Sequence, residues 1–158
     1  MPEPYRHSVS VAGVVVRDDG KILVIRRRDN GHYQAPGGVL EQYERIEDGL
    51  VREIIEETGL RVELERLTGI YKHMGIGVVA LVFRARLLGG TPTINDEAAE
   101  IPWIDRDQMA ARMTEAFAIR VTDALDGPWP HIRHHDGTRL LLAPVDGHQG
   151  SLSSPPST

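Results

Sequence analysis

Residues 38–60 read GVLEQYERIEDGLVREIIEETGL, and this stretch decides the fold because it predicts one amphipathic helix. Within it, Glu53, Glu56 and Glu57 stand at relative positions 0, 3 and 4, which share one face of a helix. Packing does not explain these like charges, since each such pair destabilises a helix by about 0.2–0.5 kcal/mol. A hard divalent cation prefers oxygen ligands and would turn this repulsion into binding. The pattern therefore predicts a metal-binding helix, with a solvated helix face as the alternative.

The same stretch indicates where the helix packs and where it ends. Apolar residues beside the carboxylates predict a strip that faces the core: Leu50, Val51, Ile54 and Ile55. Gly59 follows the last periodic residue and can take the left-handed conformation that ends many helices. Pro36-Gly37-Gly38 predicts a loop whose flexible backbone can approach a phosphate or a metal closely. We therefore predict a helix from about Arg45 to Thr58.

The fixed positions of this stretch resemble the signature of the Nudix hydrolases. The match covers every fixed position: Gly38, Glu44, Arg52-Glu53, Ile54, Glu56-Glu57 and Gly59-Leu60. The resemblance implies an α+β fold, a Nudix-type α/β/α sandwich with a central mixed sheet. It also implies an enzyme that hydrolyses the pyrophosphate linkage of a nucleoside diphosphate joined to another moiety, with Mg²⁺ as cofactor and Mn²⁺ as its substitute.

The resemblance assigns roles to the residues of the signature. The implied metal ligands are Gly38, through its backbone carbonyl, and the side chains of Glu53, Glu56 and Glu57. Arg52 would orient a carboxylate through a bidentate contact, so we include Arg52 and Glu53 among the catalytic candidates. Glu44 would hold the loop, and whether it also binds metal is left open.

A second acidic segment, residues 95–100, lies just before Trp103. Related Nudix proteins often carry an extra Glu on a loop before such a Trp, where it binds metal or activates water. Glu97 is our first choice for both roles, and Glu100 is our second, with a substrate contact expected for it. If neither is the general base, Glu53 is the next candidate. The alternative is an acidic surface loop without a role.

Basic and aromatic residues near the expected site are candidates for substrate contacts. Arg27 lies in a run of three arginines at the end of a predicted strand, and the resemblance suggests that it meets substrate phosphates. Solvated strand-end charge is the alternative. Tyr33 is predicted to stack on a base, although aromatic residues in strands more often serve packing. The three histidines among residues 131–135 lack the cysteine or acidic partners of a zinc site.

The rest of the chain shows strand, turn and helix signals. Strands are predicted at residues 9–17, 21–27, 61–73, 77–88 and 101–104. Asp18-Asp19-Gly20 predicts a hairpin turn, and residues 29–44 predict a loop with at most a short strand near 39–40. Asp105 is a candidate helix cap, residues 113–125 predict a second helix, and Asp136-Gly137 predicts a final hairpin within residues 131–142.

Length and composition limit the classes of protein. A chain of 158 residues predicts one domain, residues 1–143, followed by a Gly-, Ser- and Pro-rich tail, residues 144–158, expected to be disordered. The net charge of −5 argues against polymeric nucleic acid as a partner, and the absence of cysteine excludes disulfides. No signal peptide and no membrane-length apolar run is present, so we expect a cytoplasmic protein. A homodimer is left open.

The sequence does not name the substrate. It lacks the short downstream tags associated with the coenzyme A, NADH and ADP-ribose branches of the family. The short chain favours nucleoside triphosphates, including oxidised ones, with ADP-ribose or a nucleotide sugar as the alternative. A Nudix-fold nucleotide-binding module without catalysis is a second alternative, against which the intact set of glutamates argues.

Overall fold

A computed structural model of the protein describes residues 3–142. Within them lie ten strands: β1 (Ser8–Val16), β2 (Ile22–Leu23), β3 (Ile25–Arg27), β4 (Tyr33–Gln34), β5 (Gly37–Val39), β6 (Leu60–His73), β7 (Val78–Gly90), β8 (Ala98–Glu100), β9 (Trp103–Ile104) and β10 (His131–His135). The helices are α1 (Ile46–Thr58), α2 (Met109–Arg112) and α3 (Glu115–Leu125), with a 3₁₀ turn at Arg106–Gln108. The tail predicted at residues 144–158 lies outside the described residues.

The strands form a large mixed sheet and a small antiparallel one. The large sheet has seven strands in the order β10-β6-β7-β1-β2-β9, and β5 also pairs with β1. Within it, β1 is parallel to β7 and β10 is parallel to β6, whereas the other pairs are antiparallel. The small sheet has the order β4-β3-β8. Its strand β3 follows β2 directly in the chain, and its strand β8 precedes β9, so the two sheets are joined at these points.

The large sheet carries helices on both faces. Val11 and Val15 of β1 belong to the core cluster that includes Leu50 of α1. Ala12 and Val14 belong to the opposite cluster, which includes residues of α2 and α3. This alternation follows from the two-residue period of a strand. The expected α+β fold, a central mixed sheet between helices, is confirmed.

Helix α1 has the bounds that the sequence predicts. It begins at Ile46 and ends at Thr58, and the following Gly59 has a left-handed φ of 76° and donates its N–H to the Ile55 carbonyl at 2.8 Å. Leu50 and Ile54 are fully buried, but Ile55 is 44% exposed and lies outside the core. The helix therefore presents a narrower apolar strip than predicted.

Several short elements differ from the prediction because their pairing partners are distant in the chain. The strand predicted at residues 21–27 is divided at Val24, and its two halves join different sheets. The loop predicted at residues 29–44 contains β4 and β5. Gly37 pairs with Ala12, and a Cβ on Gly37 would lie 2.7 Å from the Ala12 Cα, so only glycine permits this approach. The acidic segment contains β8, and the strand expected at residues 101–104 is confined to β9.

The C-terminal elements were predicted in part. The helix expected at residues 113–125 begins at Glu115, because Met113 is extended, and the separate short helix α2 precedes Met113. Asp105 forms the expected cap, in a capping box with Gln108, although the element it caps is the 3₁₀ turn. Asp136-Gly137 forms the predicted turn, but its second arm contributes only a bridge from Leu140 to β10. Across residues 3–142, no helix has the length and apolar character needed to cross a membrane.

Candidate active site

A cleft of ≈ 370 Å³ lies between α1, β5 and the acidic segment. The structure brings five of the predicted site residues to its walls: Arg27, Gly38, Glu53, Glu57 and Glu97. Asp29, Gln34 and Asp96 also line it, and sequence reasoning missed all three. Carboxylates from three separate segments therefore share one cavity with a guanidinium. The roles assigned to them remain predictions.

Glu57 is the most deeply buried carboxylate of the cleft. Its residue is 4% exposed, and the N–H of Gly37 donates to its Oε1 at 2.8 Å. The pKa of Glu57 is raised to about 7, chiefly by burial; the Gly37 hydrogen bond opposes this shift, and the nearby charges of Glu53 and Glu97 add to it. A buried carboxylate is costly unless it is paired with a cation, so Glu57 is poised to receive one.

Glu53 lies against the backbone of β5. A Cβ on Gly38 would come within 2.5 Å of Glu53 Oε2, so the glycine allows the chain to pass close to the carboxylate. Burial raises the pKa of Glu53, Arg52 opposes that shift, and Glu56 adds to it. The predicted pairing of a Gly38 carbonyl with the Glu53 carboxylate at one site therefore has a steric basis.

Arg52 connects the signature glutamates. Its Nε and Nη2 donate to the two oxygens of Glu44 at 2.9 and 2.7 Å, which is the expected bidentate contact. Its Nη1 donates to Glu53 at 3.2 Å and to Glu56 at 3.1 Å. The guanidinium lowers the pKa of Glu44 to about 2, and Glu44 also accepts the N–H of Glu41 at 3.0 Å. Glu44 therefore holds the loop, whereas Glu56 is exposed and does not line the cleft.

Asn95 fixes the acidic segment to the end of α1. Its Oδ1 accepts the N–H groups of Glu97 and Ala98 at 2.8 and 3.0 Å. Its Nδ2 donates to the Glu57 carbonyl at 2.7 Å. One side chain thus sets the position of Glu97 relative to Glu57. Sequence reasoning missed this residue, although Asn is a common turn former whose side chain bonds to backbone two residues ahead.

Glu100 and Tyr33 lie away from the cleft. The Tyr33 hydroxyl donates to Glu100 Oε2 at 3.0 Å, and Arg26 Nη1 donates to Glu100 Oε1 at 3.1 Å. These two contacts lower the pKa of Glu100. The Tyr33 ring lies between the guanidinium groups of Arg26 and Arg112, at 6.0 and 5.3 Å. The structure therefore does not bring Glu100 or Tyr33 together with the carboxylates of the cleft.

Arg27 enters the cleft in a fixed orientation. Its Nε and Nη2 donate to the carboxylate of Asp29 at 2.9 and 2.5 Å. This bidentate contact raises the pKa of Arg27, and Glu57 and Glu97 contribute to the shift. Arg27 is therefore the predicted phosphate-contacting residue that the structure places beside the carboxylates.

The donor chemistry of the cleft fits a hard divalent cation. Among residues 3–142, no three acidic or histidine side chains stand close enough to form a complete ligand set. Glu53, Glu57 and Glu97 nevertheless line one cavity, and burial disfavours the charged form of the first two. Mg²⁺ requires only a few protein carboxylates because it keeps several waters. Small side-chain rotations toward a cation would relieve the repulsion among the three.

Comparison with known proteins places the chain in a family. A family model described as the NUDIX domain matches residues 6–125. The chain belongs to the Nudix hydrolase family. It is therefore a pyrophosphohydrolase of a family that generally uses a divalent metal and acts on small nucleotides.

Similar proteins support the Nudix assignment over most of the chain. A MutT-like protein of Streptomyces ambofaciens is 54% identical over 140 residues, which cover 89% of this chain and 91% of that protein. A protein of Methanocaldococcus jannaschii named ADP-ribose pyrophosphatase is 33% identical over 112 residues, or 66% of each chain. The chain also resembles the crystal structure of an ADP-ribose pyrophosphatase from Streptococcus suis, with a TM-score of 0.67. The match covers 82% of this Nudix chain and all of the other chain. At 24% identity, that structure shows the fold alone.

Proposed function

We propose that the chain hydrolyses the pyrophosphate linkage of a nucleoside diphosphate joined to another moiety, in a reaction that depends on Mg²⁺. One observation supports this most strongly: Glu53 and Glu57 of α1 line the same cleft as Glu97 of a distant segment. Carboxylates suit a hard cation, and the guanidinium of Arg27 in the same cleft suits a phosphate.

Glu53, Glu57 and Glu97 would hold the metal together with the Gly38 carbonyl, and Mn²⁺ is the expected substitute for Mg²⁺. When bound, the metal neutralises phosphate charge and lowers the pKa of bound water. Glu56, the remaining predicted ligand, would first have to leave its 3.1 Å contact with Arg52. We therefore rank it below the other three.

The other side chains of the cleft have separate roles in the hydrolysis step. The oxygen of a water attacks one phosphorus of the pyrophosphate, the bond from that phosphorus to the bridging oxygen breaks, and the leaving phosphate keeps the electron pair. Glu97 receives the proton of the water, because it lies in the cleft and forms no salt bridge among residues 3–142. Arg27, oriented by Asp29, contacts a phosphate, and Arg52 keeps Glu53 in place.

Nucleoside triphosphates, including oxidised ones, are the first substrate class that we propose. The products would be a nucleoside monophosphate and pyrophosphate. ADP-ribose is the second candidate, because a relative that is 33% identical bears the name ADP-ribose pyrophosphatase.

A substrate screen tests the proposal. The purified chain is incubated with Mg²⁺ and with triphosphates, ADP-ribose or nucleotide sugars. Pyrophosphatase converts the pyrophosphate released from triphosphates to phosphate, and alkaline phosphatase does the same for the monophosphates released from the other substrates, so that phosphate is measured in every case. We expect turnover of at least one class, loss of most of it in Glu57→Gln, and retention in Glu47→Gln, an exposed position on the same helix. Absence of turnover across the panel, or full turnover in Glu57→Gln, would contradict the proposal.

A further inference from the structure

A second chamber of ≈ 270 Å³ continues the cleft on the side of α3. The two cavities share a wall, formed by Arg27, Gln34, Gly37, Gly38 and Val39. Glutamates line the first cavity, whereas Arg120, His73 and His135 line the second. A molecule held at the carboxylates by its pyrophosphate would therefore extend into a chamber of different chemistry.

Arg120 is the unusual residue of this chamber. Its Nε is buried without a hydrogen-bond partner, and among residues 3–142 its only polar contact is Nη2 to His135 Nε2 at 3.4 Å. It forms no ion pair with a carboxylate in that part of the chain. The rings of Phe117 and Tyr71 lie 4.6 and 5.2 Å from its Cζ. Aromatic rings occupy the faces of the guanidinium, and its polar edge lacks an acceptor oxygen.

Such an arrangement is expensive without a ligand. A guanidinium withdrawn from water loses hydration that only an anion or a set of acceptors can replace. Burial lowers the pKa of Arg120 to about 10, so the group is still charged at neutral pH. An acceptor on a bound molecule would satisfy the guanidinium, which indicates that the chamber receives one.

The other walls indicate the shape of that molecule. Ala12, Val78, Ile76 and Phe117 give the chamber a largely apolar lining. Binding sites of this kind hold ring systems, with a few polar groups that fix orientation. A flat base fits such walls better than a hydrated sugar phosphate, which would leave its hydroxyl groups against apolar carbon.

We propose that this chamber holds the base of the nucleotide and that Arg120 selects a base with two adjacent acceptors, the pattern of guanine O6 and N7. Guanidinium groups bind that pair of acceptors in a bidentate manner, whereas adenine offers one acceptor and one donor at the same edge. The proposal rests on the proposed function, because it places the phosphate end of the nucleotide at the carboxylates while the base reaches Arg120. It makes Arg120 a specificity-determining residue.

Binding of nucleoside monophosphates tests this choice without turnover, since they contain no pyrophosphate linkage. We would titrate GMP, AMP and 7-deaza-GMP into the wild-type chain with Mg²⁺ by calorimetry. We expect GMP to bind roughly tenfold or more tightly than AMP or 7-deaza-GMP, because a bidentate contact discriminates bases to that extent. In Arg120→Met the preference should fall to about twofold or less, and Arg120→Lys, which keeps the charge but not the fork, should lose most of it.

The control is Arg66→Met, which removes a guanidinium that stacks on Trp129 at 4.7 Å and does not line either cavity. Equal binding of GMP and AMP to the wild type would overturn the proposal, and so would a preference that survives in Arg120→Met. Competition by ribose 5-phosphate as strong as that of GMP would mean that the chamber takes an anion instead. Because 7-deaza-GMP changes only the ligand, the test holds even if the variants fold poorly. A guanine preference without hydrolysis of any substrate in the panel would contradict the proposed function and leave the base selection standing.

Discussion

Glu97 and Glu100 are three residues apart on one short segment, yet their surroundings differ. Glu97 lines the cleft, and its backbone N–H is held by Asn95. Glu100 accepts hydrogen bonds from Tyr33 and Arg26 on the small sheet. A general base must reach the attacking water and have a free oxygen. Only the surroundings of Glu97 meet both requirements.

We expect Glu97→Gln to lower kcat by roughly 10²–10⁴-fold, the usual range for loss of general-base help. Glu100→Gln is the matched control and should have a much smaller effect, because its side chain is engaged outside the cleft. Kinetics of both variants over a range of Mg²⁺ concentration and pH would measure this. If Glu100→Gln lost most of its kcat and Glu97→Gln kept it, Glu100 and not Glu97 would be the general base. If both variants remain active, Glu53 becomes the first candidate.

At the scale of elements, one side chain joins α1 to the acidic segment. Asn95 donates to a carbonyl at the C-terminus of α1 and accepts from the backbone before β8. Carbonyls at a helix C-terminus lack partners within the helix, so the amide completes the end of α1. The same amide sets the distance across the cleft between carboxylates from the two elements.

Two substitutions at Asn95 separate its donor from its acceptor. Asn95→Ala removes both and should lower stability by about 1–3 kcal/mol, since buried partners are left unsatisfied. Asn95→Asp keeps the acceptor but faces the helix carbonyls with a negative charge, so we expect an equal or larger loss, together with a lower kcat. Thermal unfolding and kinetics would check this, with Asp96→Asn, which caps neither element, as the control for stability. A stable, fully active Asn95→Asp would show that the donor to α1 is dispensable.

The elements that were predicted from sequence share one property: their determinants are local. The carboxylate spacing, the apolar strip and Gly59 all lie within the stretch that forms α1, and the predicted bounds are within one residue. Strand β5 was expected only as a short strand near residues 39–40 and lies earlier, because its glycines have low strand propensity and its partner β1 is distant in the chain. The burial of Arg120 was invisible for the same reason, since Tyr71 and His135 approach it from other strands.

At the scale of the molecule, the proposed binding of a cation in the cleft would change the free energy of unfolding. Glu57 is buried beside Glu53 and Glu97, and its charge is unpaired. A ligand that binds the folded state alone raises the free energy of unfolding by mass action. In wild type, Mg²⁺ should therefore raise Tm, and the rise should be smaller in Glu57→Gln.

Without metal, Glu57→Gln should be at least as stable as wild type, because the amide keeps an oxygen for the Gly37 N–H and removes a like charge. Melting curves with Mg²⁺ and with EDTA would measure both effects, and Glu47→Gln is the control. A metal-free Glu57→Gln that melts well below wild type would mean that the carboxylate itself stabilises the fold.

A second whole-molecule prediction concerns pH. His135 is 1% exposed, and burial, followed by the charges of Arg120 and His73, lowers its pKa from 6.5 to about 4. Between these values the unfolded chain binds a proton that the folded chain does not, so stability decreases as pH falls. The decrease amounts to about 2 kcal/mol between pH 7 and pH 5. Glu57 acts in the opposite sense without metal, since its raised pKa favours the folded state as pH falls.

The two contributions are separated by substitution. In His135→Asn the amide oxygen can still accept the Gly137 N–H, which donates to His135 Nδ1 at 3.0 Å. Its stability deficit relative to wild type should shrink as pH falls from 7 to 5, whereas His134→Asn, at an exposed position, should show no such trend. Urea unfolding at both pH values measures this. A deficit that is constant with pH would show that His135 titrates normally in the folded state.

The residues that line only one of the two cavities come from different elements, and this has an evolutionary consequence. The carboxylates of the cleft come from α1 and the acidic segment, whereas Arg120 and Phe117 come from α3. Substitutions that are well separated and share no partners act nearly additively. Substitutions in α3 can therefore change the preference for a base while the carboxylates of the cleft stay the same. Directed evolution toward a new base needs a library at a few positions of one helix, and the ancestral chemistry can be inherited unchanged.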